Sequence, residues 1–189
     1  MALNKRYHDL DALRAFAMLL GIALHGFCSF FPLPIWPAQD AYKPEIILSG
    51  RKVNDSMGSY VAAKLLKEME AKRMISEESS PRVLIMGLAF KENCPDSRNN
   101  RTVDIMRDLS SKNCLVDIYD PWVPKKEALK EFNITLLDKP SKETYDAIIL
   151  AVAHREFKQM GIQKIHSFGK ENHILFDLKY VFSSDDSDL

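Results

Sequence analysis

The sequence predicts an α/β fold in which helices cover both faces of a parallel sheet. After Pro81, continuous apolar runs of strand length alternate with segments of helical character. Strands that are buried on both faces consist of unbroken Val, Ile and Leu runs, and their alternation with helices is typical of parallel α/β sheets. The two clearest runs are VLIMGLA at 83–89 and DAIILAVA at 146–153.

The same alternation assigns the remaining elements of this domain, which we place at residues 81–183. We expect strands at 83–89, 115–120, 134–137, 146–153 and 174–178, and helices at 101–111, 124–132 and 155–161. The last residues, 184–189, are small and acidic. They are predicted to be disordered because they offer little apolar surface to bury.

Composition argues against several classes of function. The chain has 189 residues, which suffices for one domain with extensions, and its formal net charge is zero. Zero net charge provides no bulk attraction to nucleic acid, so no nucleic-acid partner is expected. The three cysteines share no CxxC spacing. This spacing argues against a disulfide framework or a metal site and favours a reducing compartment.

Residues 1–41 differ in composition from the rest of the chain. An almost uncharged run, 15–31, follows several basic residues and precedes three prolines and Trp36. Its length is at the lower limit for a membrane span, which needs about 17–25 residues. We expect an apolar helix here. The sequence leaves open whether residues 15–36 contact a membrane or pack on the protein, and His25 within the run receives no assigned role.

Residues 42–80 predict a long amphipathic helix followed by a polar linker, SEESSP at 76–81. Asn54, Asp55 and Ser56 are candidate N-caps of that helix. We expect the helix, at 53–74, to pack on the domain or to form a dimer. Its apolar positions follow helical spacing and are Val53, Met57, Tyr60 or Val61, Leu65 and Met69.

Three cations follow predicted strands. Lys91 and Arg98 lie seven residues apart after the first strand, and Lys179 follows the last one. Ligands of open parallel sheets bind at the carboxyl ends of the strands, so these cations suit a diphosphate or another anion. The loop reads GLAFK and lacks GxGxxG, so side chains and not a glycine-rich backbone would bind any phosphate. The alternative is a set of surface cations without a ligand.

Three other polar residues suit either chemistry or packing. Asp120 lies where dinucleotide-binding folds place a ribose-binding acid, but without the glycine fingerprint a turn or capping role is favoured. His154 also follows a strand, where capping or packing is the commoner role. Cys94 has no histidine near it in the sequence, so we do not assign it as a nucleophile.

Four separated motifs occur in the order found in a known family. GLAFKENCPDSRNNRTVDIMRDL, VDIYDPW, YDAIILAVAHREFK and ILFDLKYVF resemble the C-terminal UDP-binding domain of the UDP-glucose/GDP-mannose dehydrogenase family. The resemblance covers about 42–182 and implies a Rossmann-like parallel sheet after the end of a central dimerisation helix. AVAH and GRKVNDSM are most similar to the UDP-N-acetylglucosamine and UDP-N-acetylmannosamine 6-dehydrogenases of capsule and O-antigen synthesis. LDALRAFAMLLGIALH instead resembles the first membrane helix of acyltransferase-3 proteins.

The dehydrogenase resemblance implies roles for the three cations. Whole members of that family oxidise the C6 hydroxyl of a UDP-sugar to a carboxylate, using NAD and a catalytic cysteine. By this resemblance, Lys91 and Lys179 bind the UDP-sugar, and Arg98 contacts the NAD held by another domain. Cys94 stands where threonine is usual, and Lys179 where some members have arginine. Neither change removes a cation.

The sequence lacks other parts of that machinery. It contains no GxGxxG for NAD and no GGxC for the nucleophile, so no catalytic residue is assigned. We expect the UDP-sugar-binding portion of such an enzyme, inactive alone, in the cytoplasm or associated with a membrane. The alternative is a non-enzymatic module that forms a homodimer, or pairs with an intact dehydrogenase subunit, through the 53–74 helix. Together the two resemblances imply a composite chain, from a fusion of polysaccharide-locus genes or from an assembly error.

Overall fold

The computed structural model describes residues 45–75 and 80–189. The predicted apolar helix, the membrane contact at 15–36 and the acyltransferase-like motif lie outside these residues, as does most of the predicted linker. Within the described ranges, no helix is both long and apolar enough to cross a membrane.

The sheet has four parallel strands in the order β2-β1-β3-β4, which confirms the predicted fold class. The elements in chain order are α1 (Glu45–Ala71), β1 (Arg82–Met86), α2 (Thr102–Ser111), β2 (Leu115–Tyr119), α3 (Lys125–Phe132), β3 (Tyr145–Leu150), α4 (Arg155–Met160), α5 (Ile162–His166), β4 (Gly169–Asp177) and a 3-10 turn (Ser184–Asp186).

The strand order reverses direction at β1. From β1 the chain crosses to β2 on one side, and it then returns to β3 on the other side of β1. In open parallel sheets, such a reversal leaves a crevice beyond the carboxyl ends of the strands. The loops that follow β1, β3 and β4 therefore meet at the edge where a ligand is expected.

Two hydrophobic clusters cover the two faces of the sheet. Alternate strand residues point to opposite faces, so Ile85 and Leu84 belong to different clusters. The first cluster contains α1 and α2 side chains such as Leu65 and Leu109, which are fully buried. The second contains Phe157 of α4 and Ile165 of α5. Apolar burial on both sides explains why the strands read as continuous hydrophobic runs.

The C-terminal half of α1 packs on the domain. Val61, Leu65 and Met69 are buried, whereas Val53 and Tyr60 on the preceding turns are exposed. The prediction of a packing helix therefore applies to part of its length.

The predicted N-caps of α1 are wrong, because the helix begins at Glu45 and residues 54–56 lie in its interior. There Ser56 Oγ donates to the carbonyl of Val53 at 2.9 Å, the back-bond that hydroxyl side chains form within helices. Asp55 pairs instead with Arg101, which precedes α2.

Two further elements differ from the sequence prediction. The segment 134–137 is not a strand, because its only ladder contact within the described ranges is an isolated bridge between Leu136 and Ile118. The acidic end, predicted to be disordered, instead pairs with β4. The N–H of Leu189 donates to Leu175 O at 3.3 Å, and the N–H of Asp177 donates to Leu189 O at 3.1 Å. Asp188 also accepts from Leu175 N at 2.8 Å, so the tail satisfies backbone groups at a sheet edge.

Candidate functional site

The turn after β1 is closely packed against the end of β3. Gly87 has φ of +110°, and a Cβ on it would lie 2.6 Å from Cβ of Val152. Its N–H donates to Tyr119 O at 2.9 Å, and its carbonyl accepts from Thr102 Oγ1 at 3.2 Å. A side chain at position 87 would meet both strain and a steric clash, so this glycine is required by the close approach.

The loop that follows, 88–100, has a defined internal structure. The N–H of Phe90 donates to Asp96 O at 2.7 Å, which closes the segment between them. Asn93 and Asn99 have φ of 55° and 57°, a conformation that asparagine tolerates better than most residues. Ser97 is fully buried, and its hydroxyl donates to Glu127 of α3 at 3.2 Å.

Lys91 and Arg98 lie in this loop, and both are exposed. Arg98 forms a bidentate pair with Asp96, with Nε and Nη2 each 2.9 Å from a carboxylate oxygen. The hydrogen bonds from the side chain and the backbone N–H of Arg98 lower the pKa of Asp96 to about 2. Arg98 is therefore engaged within its own loop, whereas the ammonium group of Lys91 is presented to solvent.

Lys179 lies in the turn after β4, and a buried carboxylate organises that turn. Asp177 accepts from the N–H of Lys179 and from the N–H of Phe182, each at 3.0 Å. The N–H of Leu178 donates to Leu150 O at 3.2 Å, which continues the ladder between β3 and β4 by one residue. The side chain of Lys179 is exposed at the carboxyl edge of the sheet.

A cavity of about 380 Å³ opens at this edge. Its floor includes Ala89, Ala151 and Leu178, which follow β1, β3 and β4, and its rim includes Lys179 and Phe90. α1 and the start of α2 form the opposite wall. Gly58 lies at that contact, where a Cβ would come 2.7 Å from Cβ of Asp104.

The structure brings only some of the predicted cations to the cavity. Lys179 lines it directly, while Lys91 and Arg98 are next in sequence to the lining residues Phe90 and Asn99. Arg101 also lines the cavity, and its Nε is buried without a hydrogen-bond partner in the described part of the chain. Sequence reasoning missed Arg101, although its position before α2 places it beside the same loop.

Asp120 is a buried acceptor that stabilises the loop after β1 and the turn after β2. One carboxylate oxygen accepts from the N–H groups of Leu88 and Ala89 at 2.6 and 2.9 Å. The other accepts from the N–H groups of Trp122 and Val123 at 2.7 and 3.0 Å. The predicted turn role is confirmed by the second pair. The first pair extends that role to the loop that carries Lys91.

His154 is fully buried beside this carboxylate. Its Nε2 lies 3.2 Å from Asp120 Oδ2, and its Nδ1 accepts from the N–H of Asn93 at 3.0 Å. Burial raises the pKa of the Asp120 carboxyl, but the hydrogen bonds from His154 and from three backbone N–H groups lower it to about 2. Both ring nitrogens are thus occupied, so His154 is not available as a base for the neighbouring, half-buried Cys94.

Comparison with protein families identifies the domain. The model of the UDP-glucose/GDP-mannose dehydrogenase family, UDP binding domain, matches residues 84–184, more than half of the chain. UDP-N-acetyl-D-glucosamine 6-dehydrogenases from Pseudomonas aeruginosa and Salmonella typhi are 54% and 50% identical over 148 residues. Each match covers 78% of this chain but only 35% and 34% of the relative. The chain therefore spans about a third of the length of these relatives.

Solved structures agree with this assignment. The UDP-D-ManNAc dehydrogenase from Pyrococcus horikoshii is similar with a TM-score of 0.62 at 25% identity, covering 78% of this chain and 32% of that one. The UDP-N-acetyl-mannosamine dehydrogenase Cap5O from Staphylococcus aureus is similar with a TM-score of 0.58 at 25% identity, covering 80% and 34%. The motifs, the parallel sheet and the matched domain agree, and this chain belongs to the UDP-glucose/GDP-mannose dehydrogenase family and contains its UDP-binding domain.

Proposed function

We propose that this chain binds a UDP-sugar of the UDP-N-acetylhexosamine class at the carboxyl edge of its sheet. The observation that carries the proposal is the 380 Å³ cavity beside the ordered loop of Lys91, with Lys179 on its rim, inside the family's UDP-binding domain. The sugar class is suggested by the relatives that act on UDP-N-acetyl-D-glucosamine and UDP-N-acetyl-D-mannosamine. Surface polysaccharide synthesis is the corresponding process for the whole enzyme.

Each side chain would have a separate task in this site. The ammonium groups of Lys91 and Lys179 would neutralise the diphosphate, which favours charge-assisted hydrogen bonds. Phe90 is 56% exposed and lines the cavity, so it offers an apolar surface to the nucleoside. The backbone after β1 cannot supply a glycine-rich cradle, because Gly87 already packs against the end of β3.

NAD enters this proposal only as the cofactor of the whole enzyme. Among the described residues, the turn after β1 lacks the glycine fingerprint, and Arg98 is paired with Asp96. We therefore propose no hydride transfer by this chain alone. The family resemblance supports one NAD contact, from Arg98. Bound NAD would supply hydride acceptance at the sugar C6, and the residues described here would only hold the UDP portion in place.

Titration calorimetry of the full chain with UDP tests the proposal. Lys91→Ala and Lys179→Ala should each weaken UDP binding by about tenfold or more, because a charged hydrogen bond contributes about 1.5–3 kcal/mol. Lys112→Ala is the matched control, since this exposed lysine precedes β2 at the opposite edge of the sheet. NAD is the control ligand and should give no comparable heat. No response to UDP from the wild-type chain would refute the proposal.

A second function rests on the exposed half of α1. Val53, Met57 and Tyr60 present apolar surface at helical spacing, and they are 62%, 42% and 61% exposed. We propose that this face pairs with a second copy or with an intact dehydrogenase subunit. Light scattering should then show a dimer that Tyr60→Asp disrupts, while Ser59→Asp, at an exposed position about 100° around the same helix, leaves it unchanged. A monomer that also ignores the full-length enzyme would exclude this function.

A further inference from the structure

The imidazole of His154 connects three separate segments of the domain. It follows β3, it contacts the carboxylate at the end of β2, and it accepts a hydrogen bond from the loop after β1. Its side chain has no exposed surface. Asn93, the loop residue it contacts, lies two positions after Lys91 and has a left-handed backbone with φ of 55°.

The hydrogen-bond partners determine the tautomer of this ring. A backbone N–H can only donate, so Nδ1 of His154 must present a lone pair to the N–H of Asn93. Nε2 faces an oxygen of Asp120 and therefore carries the proton. A neutral imidazole protonated on Nε2 satisfies both neighbours. A second proton, on Nδ1, would place two donors opposite each other at the 3.0 Å separation of the two nitrogens.

The ring is also fixed by its packing. Trp122 stacks over it with centroids 6.4 Å apart, and Phe157 meets it edge-on at 5.3 Å. Trp122 is itself held between Arg155, whose guanidinium lies 4.9 Å from the ring centroid, and Glu156, which accepts from its Nε1 at 2.9 Å. These contacts leave the imidazole little freedom to flip.

The loop has a second bond beside the imidazole. The side-chain oxygen of Asn93 accepts from the N–H of Arg155 at 3.0 Å, so both the backbone and the side chain of this residue are engaged. The charged groups around the ring are thus Asp120, which follows β2, and the Arg155–Glu156 pair of α4. The loop after β1 adds the charges of Lys91 and Glu92, which precede Asn93.

We propose that neutral His154 is a positioning residue for UDP binding, since it fixes the loop at Asn93 and thereby places Lys91 at the cavity edge. The inference rests on the proposed function of the site, but it assigns a role to a residue that would not touch the ligand. Loss of the bond between His154 and the N–H of Asn93 would loosen the loop and weaken binding of the diphosphate.

Two substitutions distinguish the roles of the two ring nitrogens of His154. His154→Asn presents a side-chain oxygen near the place of Nδ1 and so keeps an acceptor for the N–H of Asn93. His154→Gln presents its amide near the place of Nε2 and so keeps a donor for Asp120 but loses that acceptor. Both variants lose ring packing. A residue that serves packing alone would therefore give equal UDP affinities in the two variants.

The test combines calorimetry with UDP and nuclear magnetic resonance on the full chain. His154→Gln should weaken UDP binding by about two- to tenfold relative to His154→Asn, the range expected for the loss of one hydrogen bond. Amide exchange at Asn93 should be faster in the glutamine variant. Imidazole ¹⁵N spectra of the wild type, which need no substitution, should show the Nε2–H tautomer.

The outcomes distinguish this inference from the proposed function. If the wild type does not bind UDP, the proposed function fails, while exchange at Asn93 and the tautomer still decide whether His154 positions the loop. If the wild type binds UDP but both variants bind it equally, the positioning role is refuted. An Nδ1–H tautomer, or unchanged exchange at Asn93 in His154→Gln, would also refute it.

Discussion

Replacement of Asp120 by asparagine should destabilise the domain by about 2–5 kcal/mol. One of its carboxylate oxygens accepts from Leu88, Ala89 and His154, and the other accepts from Trp122 and Val123. An asparagine turns one of these oxygens into an NH₂ donor. Even if the remaining oxygen faces Leu88 and Ala89, the backbone N–H groups of Trp122 and Val123 lose their acceptor. Each unsatisfied buried donor costs about 1–3 kcal/mol, a large part of the roughly 5–15 kcal/mol that stabilises a domain.

The same carboxyl should produce an acid-dependent loss of stability. Its pKa is lowered from 3.8 to about 2 in the folded chain. A lowered pKa means that its contribution is fully present above pH about 4 and is lost as the pH falls through about 2. The shift corresponds to about 2 kcal/mol. Asp120→Asn cannot titrate and should lack this part of the acid transition.

Urea unfolding followed by circular dichroism, at neutral pH and at steps down to pH 2, measures both effects. Asp138→Asn is the matched control, because that carboxylate is 94% exposed and the substitution should change stability by less than about 0.5 kcal/mol. An Asp120→Asn variant as stable as this control at neutral pH would refute the reasoning. Such a result would mean that water, or a shifted loop, satisfies the N–H groups equally well.

Two further predictions concern the backbone turn and the packing of α1. Gly87→Ala should cost about 1–3 kcal/mol in the same unfolding assay, because φ of +110° is strained for alanine and its Cβ has no space. Gly50→Ala, inside α1 with nothing near the added Cβ, should be neutral or stabilising by up to about 1 kcal/mol, and equal effects at the two sites would contradict the turn geometry. Leu65→Ala should cost about 2–5 kcal/mol because the side chain is fully buried, whereas Val53→Ala, at an exposed position, should leave the stability of the monomer nearly unchanged. Thermal unfolding at low protein concentration compares the two, and a small loss for Leu65→Ala would show that α1 does not pack as described.

Local patterns predicted most of the fold. Helix α2 was expected at 101–111 and occurs at Thr102–Ser111, and the strand expected at 115–120 occurs at Leu115–Tyr119. Segment 134–137 shows the limit of such patterns. Its apolar residues suit a strand, but strand formation needs a neighbour along its length. The contact with β2 is a single bridge at Ile118, which lies opposite Leu136 and accepts from the N–H of Leu137. The acidic tail shows the opposite case, since its pairing with β4 depends on a sheet edge that the tail sequence does not reveal.

The sequence by itself determined the order of strands and helices, the family, and the placement of Lys91, Arg98 and Lys179 after strands. These follow from hydrophobic periodicity and motifs, which are properties of short segments. Only the tertiary structure decided which strands are neighbours, that Lys179 lines the cavity and that Arg98 pairs with Asp96. It also decided that His154 and Asp120, 34 residues apart, stabilise the loop of Lys91. A buried polar group must find partners wherever folding brings donors and acceptors together, and those partners come from segments that are distant in sequence.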